Sequence, residues 1–159
     1  MTVIKYALHN DDPAYALAKA HMEDACYDLV ARCYLEYPDF AAEAERIVLP
    51  PQRRCLAKTG VFLEMEPGWE ALVRPRSGNA LKKGLTILNT PGTIDAGYRN
   101  EIGVILHNAG PEPQELGRGL KIAQIAFRRV PDCDLRRVAT AEFDADTARS
   151  LKGFGSSGA

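Results

Sequence analysis

Proline and glycine recur roughly every 8 to 12 residues from Pro50 onward, and this punctuation limits the fold more than any other feature of the chain. The segments between these residues are short and alternate between apolar and polar side chains. In VFLEME, Val61, Leu63 and Met65 fall on one face of an extended chain, and EIGVILHN alternates in the same way. Regularly spaced short strands with turn signals between them predict an all-β sandwich, jelly roll or barrel.

Helix signals are confined to the first third of the sequence. In DDPAYALAKAHM, Asp12 is a suitable N-cap and Pro13 suits the first helical position, and in DFAAEAERI Asp39 is a possible cap. Two short helices are therefore predicted in this region. The 159 residues, of which 46% are hydrophobic, suffice for one domain with its own core.

The charge balance argues against a polyanionic partner. The formal net charge is -1 and the pI is about 6.3, so the chain has no basic field to attract nucleic acid or an anionic membrane. No apolar run approaches the roughly 20 residues of a membrane-spanning helix, and the first residues lack the pattern of a signal peptide. We therefore expect a cytoplasmic protein that binds neither nucleic acid nor membrane.

The cysteines and histidines show no spacing typical of a metal site. The four cysteines form no C-x-x-C pair, and the three histidines match neither H-E-x-x-H nor a zinc finger. We interpret the cysteines as reduced and structural; they are Cys26, Cys33, Cys55 and Cys133.

A first candidate binding segment is VRPRSGNALKKGL. Pro75 stiffens its approach and Gly78 frees the backbone, while Arg76 and Ser77 offer a guanidinium group and a hydroxyl to an anion. These side chains could contact a phosphate. The alternative for R-S-G alone is a turn with a solvated arginine.

A second candidate segment is LTILNTPGTIDAGYRNEIGVILHN, which reads as two strands joined through a bend at 91–92 and a turn at 96–97. Asn89 supplies the donor and acceptor that the paired edge of a pyrimidine requires. Asp95, near the tip, could accept a proton from water. The alternatives are that Asn89 and Asp95 only form turns and that Tyr98 belongs to the core.

Five short motifs follow one another through the chain. They are ACYDL at 25–29, PRSG at 75–78, GTIDAGYRNEIGV at 92–104, GLKIAQIAF at 119–127 and RSLKGFGSSG at 149–158. With these motifs in this order the chain resembles the trimeric deoxyuridine triphosphate nucleotidohydrolases, or dUTPases. The resemblance implies a mainly β, distorted jelly-roll β-barrel with little helix over residues 1–148, a flexible glycine-rich lid at 149–159, and a homotrimer with active sites shared between subunits.

The resemblance also implies a role for each matching residue. Asp95 would be the general base that deprotonates the attacking water, Asn89 would read the uracil edge, and Tyr98 would pack under the deoxyribose. Asp28 would orient water on a Mg²⁺ ion that the phosphates chelate. The other residues implied to bind substrate are Arg76, Ser77, Gly78 and Gln124 at the phosphates, Thr93 and Ile94 in the third motif, and Arg149, Phe154, Gly155 and Ser156 in the lid.

Two of these residues also carry expectations of their own. Gln124 lies in the apolar stretch KIAQIAF, where an unpaired amide would cost about 1 to 3 kcal/mol, so it needs a partner that a bound phosphate could supply. For Asp28 the alternative to a metal role is a helix or turn cap.

The activity implied is hydrolysis of dUTP to dUMP and pyrophosphate by Mg²⁺-assisted attack of water on the α-phosphate. This reaction lowers dUTP and supplies dUMP for dTMP synthesis. The chain departs from the family motifs at Cys26, Asn100, Ser150 and Lys152. Asn100, in place of a glycine, should keep its turn because Asn tolerates a positive φ.

Two alternative functions remain open at this point. A dCTP deaminase would need a glutamate shortly after the Arg-Ser pair, and RSGNALKKG contains no acid. A nucleotide-sensing or regulatory binding protein is the other alternative, and LEYPDFAAEAERI is the segment where such a second role would be sought.

Overall fold

The computed structural model describes residues 3–143 and 146–147, and it consists mainly of short strands. One α-helix, α1 (Ser77–Lys83), and three 3-10 turns accompany the strands. None of the helices in these ranges is both long and apolar enough to cross a membrane. The strands are β1 (Lys5–Leu8), β2 (Tyr27–Val30), β3 (Cys33–Glu36), β4 (Glu43–Ala44), β5 (Arg46–Leu49), β6 (Arg54–Lys58), β7 (Val61–Glu64), β8 (Trp69–Arg74), β9 (Leu85–Ile87), β10 (Gly92–Asp95), β11 (Gly103–Asn108), β12 (Gln114–Gly117) and β13 (Lys121–Arg129).

The strands form two larger sheets and two ribbons, and every pair among the described strands is antiparallel. One sheet has the order β10-β8-β13-β2 and the other has the order β4-β3-β6-β11-β9. The ribbons are β1-β7 and β12-β5. The mainly β, jelly-roll-like fold is thus confirmed, but the described sheets do not close as a barrel.

The core lies on the inward faces of these strands, as the alternation predicts. Full burial of one aliphatic side chain contributes about 1.5 to 3 kcal/mol, so the two inward faces stabilise the fold substantially. The predicted face is buried at Val61 and Leu63 in β7 and at Met65 directly after it. It is also buried at Val104 and Leu106 in β11 and at Ile102 directly before it.

Neither predicted helix forms as expected. The Asp12 carboxylate does accept a hydrogen bond from the Ala14 amide at 2.9 Å, but the helix is a single 3-10 turn that ends at Tyr15. The second prediction is wrong, because no helix begins at Asp39 and its segment contains β4 and the start of β5. In β5 alternate residues are buried against the core, and this tertiary packing outweighs the helix propensity of the Ala and Glu residues.

The helix α1 was not predicted, since its segment was interpreted as a turn. Its first residue is Ser77, its interior holds good helix formers, and it ends where Gly84 adopts a left-handed φ of 64°. The Asn79 amide donates to the Lys121 carbonyl oxygen at 3.0 Å and so ties α1 to β13.

The chain crosses between the two larger sheets at both candidate segments. The predicted turn at 96–97 is present, with the Tyr98 amide donating to the Asp95 carbonyl oxygen at 3.0 Å. However, β10 pairs with β8 in the four-stranded sheet, while β9 and β11 pair with each other in the five-stranded sheet. The position of Asp95 therefore depends on how the two sheets meet.

Candidate active site

A cavity of about 310 Å³ opens beside β2, β13 and the start of α1. The strand register places Gln124 between Asp28 on one neighbouring strand and Arg74 on the other. Chain direction then brings the PRSG segment, which follows Arg74, over the same place. The lining residues are Ala20, Asp24, Ala25, Cys26, Asp28, Arg76, Ser77, Gly78 and Gln124.

The Asp28 carboxylate holds two cations at this cavity. Arg76 Nε lies 3.0 Å from Asp28 Oδ1, and Lys121 Nζ lies 2.8 Å from Asp28 Oδ2. Only 14% of the Asp28 side chain is exposed, so the two cations compensate a largely buried charge. Asp28 lies inside strand β2, and the alternative of a helix or turn cap is wrong.

Lys121 does not line the cavity, but it pairs with Asp28, and this contact was not predicted from the sequence. It begins β13 three residues before Gln124, and the register with β2 shifts between Lys121 and Ala123. Simple alternation from Gln124 would place Lys121 on the opposite face of the strand, so this irregularity hides the contact.

Gln124 has a partner within the protein. Its Nε2 donates to the Pro75 carbonyl oxygen at 2.8 Å. The partner that this amide was expected to need is therefore supplied by the protein itself. The hydrogen bond fixes the backbone just before Arg76 and Ser77, the two side chains proposed for phosphate contact.

Ser77 and Gly78 are exposed at the mouth of the cavity. An added Cβ at Gly78 would meet nothing within 4 Å, so packing in this chain does not require a glycine there. Space therefore remains in which a ligand could approach the Gly78 backbone closely.

The second predicted cluster lies in the hairpin that joins β9 to β11, on β10 and the turn that follows it. Thr93 and Asp95 are exposed, whereas Ile94 between them packs against the core. Only the backbone of Ile94 is therefore available to a ligand from this side of the chain. Asn89 is exposed, and its side-chain amide lies next to Gly92, 3.4 Å from where a Cβ would stand.

Tyr98 and Asn100 differ from two expectations. Tyr98 is 38% exposed, so it is not a core residue, and its hydroxyl donates to the Glu101 carbonyl oxygen at 3.0 Å. Asn100 is absent from the described residues with positive φ; its Oδ1 instead accepts a hydrogen bond from the Glu101 amide at 2.7 Å. The turn is thus kept by a side-chain hydrogen bond and not by a left-handed residue.

The cavity and the hairpin do not meet within one chain. Asp95 pairs with Glu70 and Gln124 pairs with Arg74, on opposite sides of β8. Four residues along a strand and two strand spacings separate their Cα atoms by roughly 16 Å. The lid residues of the prediction, Arg149, Phe154, Gly155 and Ser156, lie outside the described residues, as do Ser150 and Lys152.

The donor set suits a metal ion that arrives with its own ligands. Asp24 and Asp28 are the carboxylates of the cavity. Within residues 3–143 and 146–147, no group of three or more His, Cys, Asp or Glu side chains could hold a metal ion. Mg²⁺ is commonly bound through one or two carboxylates together with substrate phosphates, and this cavity fits that pattern.

The two buried cysteines, Cys33 and Cys55, do not line this cavity. Burial raises the pKa of Cys33 to about 11 and that of Cys55 to about 12, so both thiols stay protonated at neutral pH. All four cysteines are unpaired, as predicted, although Cys133 is exposed and has no core role.

Comparison with known proteins gives a consistent result. A family model described as dUTPase matches residues 12–158. The chain belongs to the dUTPase family. It is 53% identical over 112 residues to the deoxyuridine 5'-triphosphate nucleotidohydrolase of Beijerinckia indica, covering 70% of this chain and 68% of the relative. Membership confirms the predicted enzyme class, the dUTP diphosphatases, which hydrolyse dUTP to dUMP and pyrophosphate.

Solved dUTPase structures share the fold. A variant of the Staphylococcus bacteriophage 80alpha dUTPase with dUpNHpp has a TM-score of 0.78 and 26% identity, and covers all of both chains. A variant of the dUTPase from phage phi11 of S. aureus, which coordinates a structural Mg(II) ion, has a TM-score of 0.70 and 25% identity. It covers 89% of this chain and 100% of its own.

Proposed function

We propose that this chain hydrolyses dUTP to dUMP and pyrophosphate at sites that copies of the chain build together in a homotrimer. The observation that carries this proposal is the order of groups along β8. Asp95 is level with Glu70, Gly92 and the neighbouring Asn89 amide are level with Val73, and the cavity begins beyond Arg74. In one chain, Asn89, which is proposed to read uracil, thus lies between Asp95, the proposed general base, and the phosphate cavity.

The substrate has a different order. In dUTP the α-phosphate lies between the nucleoside and the two outer phosphates. A general base that activates water at the α-phosphate must therefore lie between the residues that contact uracil and those that contact the outer phosphates. A water that attacks the α-phosphorus must also come within about 3 to 3.5 Å of it. A hairpin from one copy laid over the cavity of another satisfies both requirements, and the family resemblance supports three copies.

In such a site the cavity holds the phosphate chain. Arg76 and Ser77 contact phosphate oxygens with a guanidinium group and a hydroxyl, and the Gly78 backbone approaches them closely. Gln124 keeps this segment in place through Pro75 and presents the rest of its amide to the ligand.

The hairpin of a second copy binds the nucleoside and activates water. Asn89 pairs with the uracil edge, with Thr93 and the Ile94 backbone beside it on the edge strand β10. Tyr98 packs under the deoxyribose and disfavours a 2'-hydroxyl. Asp95, exposed on the same face as Thr93, accepts the proton of the attacking water, and pyrophosphate leaves without a covalent intermediate.

The cavity would take a Mg²⁺ ion that arrives chelated by the three phosphates, and Asp28 would contact this ion through water. When bound, the ion offsets the charge of the phosphates that would otherwise repel the incoming water. The residues 149–159 act as a lid in this proposal, with Phe154 stacking on uracil, Arg149 reaching the terminal phosphate, and Gly155 and Ser156 lining the nucleotide. A cytoplasmic location follows from the substrate, a free nucleotide.

Pyrophosphate release measured separately with dUTP, dCTP, dTTP and UTP, with and without Mg²⁺, tests this function. A site whose buried groups pair with uracil leaves them unpaired with cytosine, so dUTP should be preferred over dCTP by about 10⁴-fold. Ammonia release from dCTP is measured in parallel. Comparable turnover of dCTP, or ammonia release, would contradict the proposal.

A further inference from the structure

Glu101 is a buried carboxylate that the proposed chemistry does not use. It is 6% exposed, and both of its oxygens are engaged. Arg32 Nε lies 3.1 Å from Oε1, Lys58 Nζ lies 3.2 Å from Oε2, and the Gly60 amide donates to Oε1 at 2.7 Å. A buried charge persists only with such partners, so Glu101 and the three groups form one unit, the Glu101 cluster.

The Glu101 cluster lies where the chain crosses between the two larger sheets. Arg32 stands in the crossing from β2, which carries Asp28, to β3. Glu101 stands in the crossing from β10, which carries Asp95, to β11. The ion pair between Arg32 and Glu101 therefore links the β2–β3 connection to the β10–β11 connection. These two connections directly follow the strands that carry Asp28 and Asp95.

The same residue holds the hairpin through its backbone. The Glu101 carbonyl oxygen accepts the hydroxyl of Tyr98, and the Glu101 amide donates to Asn100 Oδ1. The Tyr98 amide in turn donates to the Asp95 carbonyl oxygen. A chain of hydrogen bonds thus runs from the buried carboxylate, through its own backbone, to the proposed base.

Arg32 has a second acidic partner that provides a matched comparison. Its guanidinium donates to both carboxylate oxygens of Glu43, at 2.9 and 2.8 Å, on the exposed side of the Glu101 cluster. Glu43 belongs to β4 and makes no described hydrogen bond to the hairpin. Removing the Glu43 charge therefore changes the same guanidinium without touching the turn that carries Asp95 and Tyr98.

We propose that Glu101 is a positioning residue for dUTP hydrolysis, which fixes the turn from Asp95 to Asn100 so that Asp95 meets a substrate held by another copy. The inference rests on the proposed function for its catalytic part. A displacement of about 1 Å in a reacting group can reduce the rate by about 10²-fold even when binding is retained. Loss of the Glu101 charge should therefore lower kcat more than it raises KM.

The test compares Glu101→Gln with Glu43→Gln as trimers of matched melting behaviour at the assay temperature. Glu101→Gln should reduce kcat for dUTP by about tenfold or more, while the affinity for dUpNHpp changes by less than about threefold. Glu43→Gln should keep kcat within about twofold of the parent. Hydrogen exchange of peptides spanning 95–102 should become faster in Glu101→Gln only.

Each outcome decides the inference. A folded Glu101→Gln protein with parental kcat overturns it, and so does a loss of kcat without faster exchange in the hairpin. If Glu101→Gln does not fold, Arg32→Lys is used, which keeps the charge but loses the two-sided guanidinium contact; unchanged kcat and exchange there overturn the inference. If the parent protein does not hydrolyse dUTP, the proposed function fails separately, and unaltered hairpin exchange still overturns the role of Glu101.

Discussion

Replacing Asp28 with Asn tests how the cavity balances its charges. The substitution keeps the shape of the side chain and removes the negative charge between Arg76 Nε and Lys121 Nζ. Both cations are then left without their carboxylate at the place proposed for the phosphate chain. We expect two opposite effects, a loss of fold stability and a gain in affinity for a metal-free anion.

The structure sets the size of both effects. The two cations are partly exposed, and ion pairs of this kind contribute about 0.2 to 1 kcal/mol each, so the free energy of unfolding should fall by about 0.4 to 2 kcal/mol. A phosphate oxygen bound on the far side of the Arg76 guanidinium would lie about 5 to 6 Å from Asp28. Two negative charges at that distance repel by about 0.7 to 0.8 kcal/mol in water, so pyrophosphate should bind roughly three- to fourfold more tightly to the variant.

Calorimetry with inorganic pyrophosphate in the presence of a chelator measures the affinity for the anion, and urea unfolding measures the stability. A Mg²⁺ titration of dUTP turnover measures the Mg²⁺ requirement. Turnover should need more Mg²⁺ in Asp28→Asn, because a water-mediated contact to the ion is weakened. Glu45→Gln, which removes an exposed ion pair to Arg118 outside the cavity, is the control and should leave pyrophosphate affinity unchanged. Unchanged pyrophosphate affinity together with an unchanged Mg²⁺ requirement in Asp28→Asn would refute the reasoning.

Three further predictions concern the base, acid stability and the terminal segment. Asp95→Asn should lower dUTP turnover by about 10² to 10⁴-fold while dUpNHpp still binds, and near-normal turnover would remove Asp95 from the mechanism. Hydrogen bonds from Arg32 lower the pKa of Glu43 to about 2. Burial raises the pKa of Glu101, but the hydrogen bonds that Arg32, Gly60 and Lys58 donate to it outweigh burial and keep this pKa below its usual value. In this pH range the folded state thus binds fewer protons than the unfolded chain. The stability that these carboxylates contribute is therefore complete above a pH of about 4.5 and is lost as the pH falls toward about 2. A urea midpoint equal at pH 7 and pH 3 would contradict this. Removal of residues 149–159 should leave the melting temperature and the oligomeric state unchanged but sharply lower kcat/KM for dUTP, with a milder loss in Phe154→Ala; full activity after truncation would show that the segment is inert.

The features that could be predicted from the sequence are those encoded by neighbouring residues. Alternation alone identified the buried faces of β7 and β11, because side chains two residues apart must share a face. The turn at 96–97 followed from its glycine. The motif order identified the family, since several short motifs together are far more specific than any one of them.

The features that could not be predicted depend on partners far away in the sequence. DFAAEAERI forms strands because β3 and β12 pair with β4 and β5, and its composition alone favours a helix. Lys121 reaches Asp28 only because the register shifts inside β13. Glu101 finds Arg32 and Gly60 at separations of 69 and 41 residues, which no local pattern contains.

Mixing two inactive variants tests the shared site most directly. Asp95→Asn keeps the phosphate cavity and Arg76→Ala keeps the base, and each trimer alone should hydrolyse dUTP poorly. After the subunits exchange at equal concentrations, a site built from two copies has both intact parts in about a quarter of random combinations, so about a quarter of parental turnover should return. If each chain instead built a complete site of its own, the mixture would stay as inactive as its two components, and that result would contradict the account.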